Sequence, residues 1–235
     1  MALPKLNVPS YTIKLPSTGD KIKYRPFLVK EEKLLYLAME SGDQDDMIEA
    51  VTKIMRDCTN ISDVRKLATF DIEYLFLKIR TRSVGENVDV VITCPDDEET
   101  EVSVSIPLDE IEVIEDPKHK TEIQLNDDVI ITMKYPSLEM FVQTNFSDGN
   151  DLDEVFKIAS NCAETIQDRE TVHHCADLPK AEIVEFFESM NSAQFKKVQE
   201  FFETMPKLSH TLEVENPNTG VKSEVVLEGL ASFFA

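Results

Sequence analysis

The apolar residues of this chain change their spacing as it runs, from alternate positions to helical positions and back, and that succession narrows the fold more than any other feature. Between Tyr11 and Arg25 two alternating runs flank Pro16, Ser17, Gly19 and Asp20, the pattern of a β-hairpin, and Pro26 ends the second strand. From Val29 to Ser41 the residues Leu34, Leu35, Leu37 and Ala38 recur at helical spacing, with Gly42 as a stop. A second helix is predicted from about Asp43 to Arg56, with Met47, Ile48, Val51, Ile54 and Met55 as its stripe. Asp71 opens a third, where its charge suits the helix N-terminus, and this helix ends near Arg82.

After Gly85 the spacing returns to two. Val88, Val90 and Ile92 face Val102, Val104 and Ile106, and Glu122–Leu125 faces Val129–Lys134 across Asn126-Asp127-Asp128, so one small antiparallel sheet is expected between residues 86 and 134. Helical spacing then predicts Ser137–Phe146, Leu152–Ile166, Pro179–Met190, with its proline just inside the start, and Ser192–Met205. A last hairpin, Thr211–Glu215 with Lys222–Leu227, precedes an apolar tail, Leu230–Ala235. The class is therefore α+β: helical units flanking small antiparallel β-hairpins, divided as 1–84, 85–135 and 136–235 within one compact protein.

With 235 residues and 42% hydrophobic content the chain can bury a core without staples. The balance of 24 basic against 45 acidic side chains, a net of -21, repels phosphate backbones and anionic lipid headgroups, so neither nucleic acid nor a membrane surface is the expected partner. Charges interrupt every apolar run long before the roughly 20 residues that a membrane span needs. The acidity is either a solvated surface or a face for a basic partner, and in the second case association weakens with salt. Four cysteines, Cys58, Cys94, Cys162 and Cys175, are widely spaced behind no secretory signal, which predicts reduced thiols in a cytoplasm.

The most suggestive local sequence is Cys94-Pro95-Asp96-Asp97 at a hairpin tip, because zinc ribbons place Cys-Pro-x-Cys knuckles there so that thiolates converge on one metal. Here Asp97 holds the second thiol position. Asn216-Pro217-Asn218-Thr219-Gly220 has the same outline, with Asn216 and Thr219 in place of both thiolates, and neither replaces a thiolate on zinc. The two hairpins either lie side by side as a degenerate ribbon without its metal or are unrelated. Cys162, His173, His174 and Cys175 also resemble a metal set, but their spacing fits no finger, and Cys162 reads as a core residue with the histidines in a loop. Asp45-Asp46, Asp96-Asp97 and Asp127-Asp128 read as solvated charge in helix starts and turns. No base-activated nucleophile or phosphate-binding glycine loop is found, so no enzymatic activity, cofactor or small-molecule substrate is expected. Adjacent aromatics, Phe186-Phe187 and Phe201-Phe202, cannot share one narrow helix stripe, so one of each is expected to contact a neighbouring element or another chain. Tail residues Leu230, Phe233 and Phe234 either fold back or dock into a partner, and Tyr24, Arg25, Pro26 and Phe27 are a second candidate contact.

Three long stretches, Leu15–Lys33, Phe70–Arg80 with Ser83–Glu86, and Phe201–His210 leading to Leu227–Leu230, together resemble the baseplate protein family of T4-like contractile-tailed bacteriophages, which includes the hub subunit or hub-assembly protein. The resemblance spans nearly the whole chain. It implies a late viral protein of the tail baseplate hub, with other phage baseplate or hub proteins as partners, made in the host cytoplasm and incorporated in the virion tail. It also implies relatives with cysteine knuckles where this chain has Asp97, Asn216 and Thr219. Two rival expectations are a transient assembly chaperone absent from the mature virion and a zinc-binding regulator built on Cys94, Cys162, His173, His174 and Cys175.

Overall fold

The computed structural model describes residues 6–138, 152–229 and 232. In chain order its elements are β1 (Tyr11–Lys14), β2 (Lys21–Tyr24), α1 (Val29–Ser41), α2 (Gln44–Cys58), α3 (Thr69–Val84), β3 (Asn87–Thr93), β4 (Glu101–Pro107), β5 (Glu112–Ile114), β6 (Glu122–Gln124) and β7 (Val129–Met133). There follow α4 (Leu152–Cys162), β8 (Ala163–Asp168), β9 (Thr171–His174), α5 (Lys180–Glu188), α6 (Ser192–Thr204), β10 (Lys207–Glu215) and β11 (Lys222–Glu228). The class is α+β, with antiparallel pairing throughout the described sheets: β1-β2, β3-β4, β11-β10-β5 and β6-β7-β8-β9.

Two hydrophobic clusters organise these elements. The first is built around α3, whose Ile72, Leu75, Leu77 and Ile79 are all fully buried, so a helix apolar on nearly every side lies at its centre. Each such side chain contributes roughly 1.5–3 kcal/mol on burial. α2 is amphipathic, presenting Met47, Val51, Ile54, Met55 and Cys58 to the cluster. Its N-terminus is capped by Asp43, which accepts the Asp45 N–H at 2.8 Å. Strands β3, β4 and β10 complete this cluster through Ile92, Ile106, Leu208 and Val214, and Val225 and Leu227 of β11 pack against it. The second cluster gathers Ile131, Met133, Ala159, Cys162, Ile183, Phe187, Val198 and Phe201 from β7, α4, α5 and α6. In both adjacent aromatic pairs one ring is in the core, Phe187 and Phe201, while Phe186 and Phe202 are half-buried.

The structure corrects the sequence reading at four places. The expected single sheet between 86 and 134 is divided: β3 and β4 pair alone, β5 joins β10, and β6 and β7 join two later strands. The expected helix Leu152–Ile166 ends at Cys162, because Ala163–Asp168 pairs along β7 with Ile166 opposite Ile131. His173 and His174 lie in edge strand β9, not a loop, opposite Ile166 and Thr165. The last hairpin starts at Lys207, four residues before its expected start at Thr211, since β10 runs on to pair with β5. The helix expected at Ser137–Phe146 lies outside the described residues beyond Leu138.

Candidate functional site

Three hairpins of this chain are closed by one kind of turn, with proline in its second position and a left-handed residue in its fifth. Gly19 (φ 73°), Glu98 (φ 56°) and Gly220 (φ 72°) fill that fifth position, and their N–H groups return to the carbonyls of Leu15, Cys94 and Asn216 at 2.8, 2.9 and 2.8 Å. Glycine fits there without strain, whereas Glu98 must hold an L side chain in a conformation that crowds its Cβ.

The first tip is fastened to α3. Buried Asp71 accepts the Ser17 N–H at 3.1 Å and also the Ser17 hydroxyl. Burial pushes the Asp71 carboxyl up, against the Ser17 hydrogen bonds that favour its charged form.

The second and third tips are fastened to each other. Asn216, only 1% exposed, donates from Nδ2 to Asp96 Oδ1 and Oδ2 at 3.0 and 3.1 Å and to Asp97 Oδ2 at 2.9 Å. Thr219 Oγ1 donates to Asp96 Oδ2 at 2.6 Å, and Asn218 Nδ2 to Thr100 Oγ1 at 3.0 Å. Within its own turn Asn216 Oδ1 accepts the N–H groups of Asn218 and Thr219 at 2.8 and 3.3 Å, while Asp97 Oδ1 accepts those of Glu99 and Thr100 at 3.1 and 3.0 Å. The Thr100 hydroxyl and N–H, with Asn216, hold the Asp97 carboxyl well below the usual range, and Thr219 followed by Asn216 lowers Asp96. These two aspartates are therefore a joint between hairpins, not the solvated charge that adjacency in sequence suggested.

The four knuckle positions, Cys94, Asp97, Asn216 and Thr219, thus fall on two tips that do lie side by side. Of the four, only Cys94 brings sulfur, and burial, with Asp96 and Asp97 nearby, pushes its thiol up and away from the thiolate a metal requires. Cys162 is buried in the second cluster with its thiol pushed up to about 12, and burial likewise raises Cys175, so both are core residues, while His173 and His174 stand on an exposed strand. Among the described residues no group of three or more His, Cys, Asp and Glu side chains is placed to share a metal ion.

Tyr24, Arg25, Pro26 and Phe27 face inward instead of forming an open contact surface. Tyr24 and Pro26 are buried, Tyr24 packs on the Tyr11 ring at 5.5 Å, and Phe27 meets the Phe76 ring edge to face at 5.3 Å. Arg25 Nη2 pairs with Glu31 Oε1 at 2.8 Å, and Glu31 Oε2 accepts the Leu28 N–H at 2.8 Å, closing the start of α1. Burial works to raise the Glu31 carboxyl, yet the bonds from Arg25, Leu28 and Lys30 together lower it. Leu230, Phe233 and Phe234 lie outside the described residues.

The sequence reading missed the outer face of α1. This helix buries only Glu31 and Ala38, and leaves Val29, Tyr36, Leu37 and Met39 more than half exposed, at 80, 65, 51 and 57%. The available signal was its excess of apolar residues over what one stripe can bury. No helix among the described residues is long and apolar enough to cross a membrane.

No match is found among curated proteins or among solved structures. The family described as T4 bacteriophage base plate protein matches residues 8–235, nearly the whole chain and both hydrophobic clusters with it. The chain therefore belongs to the T4 bacteriophage base plate protein family, and is a protein of the phage tail baseplate.

Proposed function

We propose that the chain is a non-enzymatic component of the central hub of the baseplate in a T4-like contractile-tailed phage, and that it acts through contacts with other baseplate proteins. The observation that carries this reading is the outer face of α1, where Val29, Tyr36, Leu37 and Met39 stand exposed together on one helix. Exposed apolar side chains gathered in this way mark protein contacts more often than they mark solvated surface. The conspicuous polar groups have structural partners: Asp71 secures the first tip, and Asp96, Asp97, Asn216 and Thr219 secure the other two to each other. A charge of -21 suits neighbours with basic surfaces.

Purified tails, digested and quantified by mass spectrometry against known hub subunits, should contain peptides of this chain in fixed stoichiometry. Their absence from finished tails would sink the subunit reading and leave a transient assembly factor. In a complementation assay, Tyr36→Glu with Leu37→Glu should leave the purified protein folded by circular dichroism while sharply lowering its incorporation. Normal incorporation of that variant would remove α1 from the contact.

A further inference from the structure

A hollow of about 520 Å³ opens between the end of β7, α4, the turn after β9 and the start of α5. Ala163, Cys175 and Ile183 belong both to its lining and to the second hydrophobic cluster. Every charged residue of that lining is a lysine: Lys134, Lys157 and Lys180. Acidic side chains outnumber basic ones 45 to 24 across the chain, so a pocket with three cations and no carboxylate runs against the composition. All three lysines are exposed, and among the described residues none of them is in a salt bridge.

The backbone fixes where the three side chains start. The Lys134 N–H donates to the Cys162 carbonyl at 2.7 Å, tying the end of β7 to the end of α4. Lys157 precedes Ser160 and Asn161 by three and four positions on α4, so these lining residues share one face of that helix. Lys180 is the first residue of α5, where Pro179 holds the cap position and makes no side-chain bond, so the positive end of a helix adds to the lysine charge. Ser160 already donates its hydroxyl proton to the Phe156 carbonyl at 2.7 Å, which leaves the ammonium groups as the charged donors. Three ammonium groups around one hollow repel each other, and an anion seated among them relieves that repulsion.

The rest of the lining selects the kind of anion. Ala176, Leu178, Ile183 and Val184 supply apolar wall, whereas neither an aromatic ring nor an arginine lines the pocket. A nucleotide base therefore has nothing to stack on, and a phosphate meets no planar fork of donors. A net charge of -21 repels polymeric phosphate, while a short run of carboxylates crosses the same field at far lower cost. That charge also opposes a second copy of this chain as the source of the carboxylates. Acidic residues interleaved with apolar ones match both the lysines and the wall.

We propose that this pocket binds a short segment of another protein in which acidic and apolar residues alternate, with Lys134, Lys157 and Lys180 holding its carboxylates. The probe is a short peptide of alternating aspartate and leucine carrying an uncharged fluorophore, titrated with the purified full chain and read by anisotropy. It should bind, and more weakly as salt is raised. Lys134→Gln, Lys157→Gln and Lys180→Gln combined should weaken binding at least tenfold with unchanged far-ultraviolet circular dichroism. Lys14→Gln, Lys21→Gln and Lys23→Gln, which remove the same charge from exposed positions of β1 and β2, should change it less than twofold. Ala176→Trp fills the hollow without altering charge and should also weaken binding at least tenfold; it decides the matter alone if the first triple variant misfolds. Absence of binding, equal loss in the two lysine triples, or equal binding of a peptide with asparagine for aspartate would overturn the proposal. Displacement of the peptide by an equal concentration of inorganic phosphate or of a single-stranded oligothymidylate would overturn it too, and give the pocket to phosphate. The purified chain is measured alone, so the outcome does not depend on whether the chain stays in the finished tail.

Discussion

The first hairpin tip and the joined second and third tips share a turn but are held by opposite means. At Leu15–Asp20 a single buried carboxylate, Asp71, does the fastening from the first turn of the most buried helix. At Cys94–Thr100 and Asn216–Val221 the fastening is a web of hydrogen bonds at the surface, centred on the one buried amide of Asn216. The difference teaches that a rigid turn fixes where a tip points, while its anchor decides what the tip is worth to the fold. An anchor rooted in the core couples the tip to global stability. A joint between two exposed tips couples them mainly to each other.

The sharpest way to separate the two kinds is to restore the missing thiols. Asp97→Cys, Asn216→Cys and Thr219→Cys together with Cys94 should bind one zinc ion with about 10 kcal/mol or more of free energy at neutral pH, if the joined tips have kept ribbon geometry. Zinc remaining at one equivalent after dialysis, and a melting temperature that falls on chelation, are the expected results; absence of stoichiometric zinc would show that the four positions do not converge. Next in size is Asp71→Ala. It leaves the Ser17 N–H and hydroxyl without their acceptor beside a fully buried site, and should cost about 3 kcal/mol in urea denaturation. Asn216→Ala removes donors to two aspartates and the acceptor of two backbone N–H groups, and about 2 kcal/mol is expected. If Asn216→Ala proved the costlier of the two, the contrast between core anchor and surface joint would be reversed.

Much of this arrangement was legible in the order of residues, because hairpins and amphipathic helices announce themselves by spacing. The stripe of α2 and the alternation of β3 and β4 were both found where the sequence placed them. The segment Ala163–Asp168 was not, since Ile166 stands four residues beyond Cys162 and extends the helical pattern. Pairing with β7 overrides that local preference. The outline Cys-Pro-x-Asp and Asn-Pro-x-Thr pointed to two comparable tips, and the structure does set them together. What the outline did not carry was Asp96, the residue between knuckle positions that takes three of the five bonds between the two tips. Nor did it carry Asp71, because a lone acidic residue at a helix start reads as a dipole partner until its distant acceptor role is seen. Long-range polar contacts have no period, and so leave no pattern to read.

Of two smaller tests, one bears on the second tip and one on both kinds of anchor. Glu98→Gly relieves the left-handed strain but enlarges the unfolded ensemble, and the balance should be a gain of about 0.5 kcal/mol, whereas glycine already occupies this place in the other two tips. The pH dependence is the finest probe. Asp96 and Asp97 have carboxyls lowered in the fold, so the unfolded chain binds more protons than the folded one as pH falls below the ordinary carboxylate range. Their contribution is therefore fully present above that range and is lost progressively as pH drops toward their depressed folded values. Asp71 has the opposite sign: its carboxyl is raised by burial, and protonation of the fold begins at higher pH there. On mild acidification the side-chain amide resonances of Asn216 should stay in place while the backbone amide resonance of Ser17 moves first. Simultaneous change at both places would mean that the two anchors titrate as one, and that the first tip is not held independently of the joint.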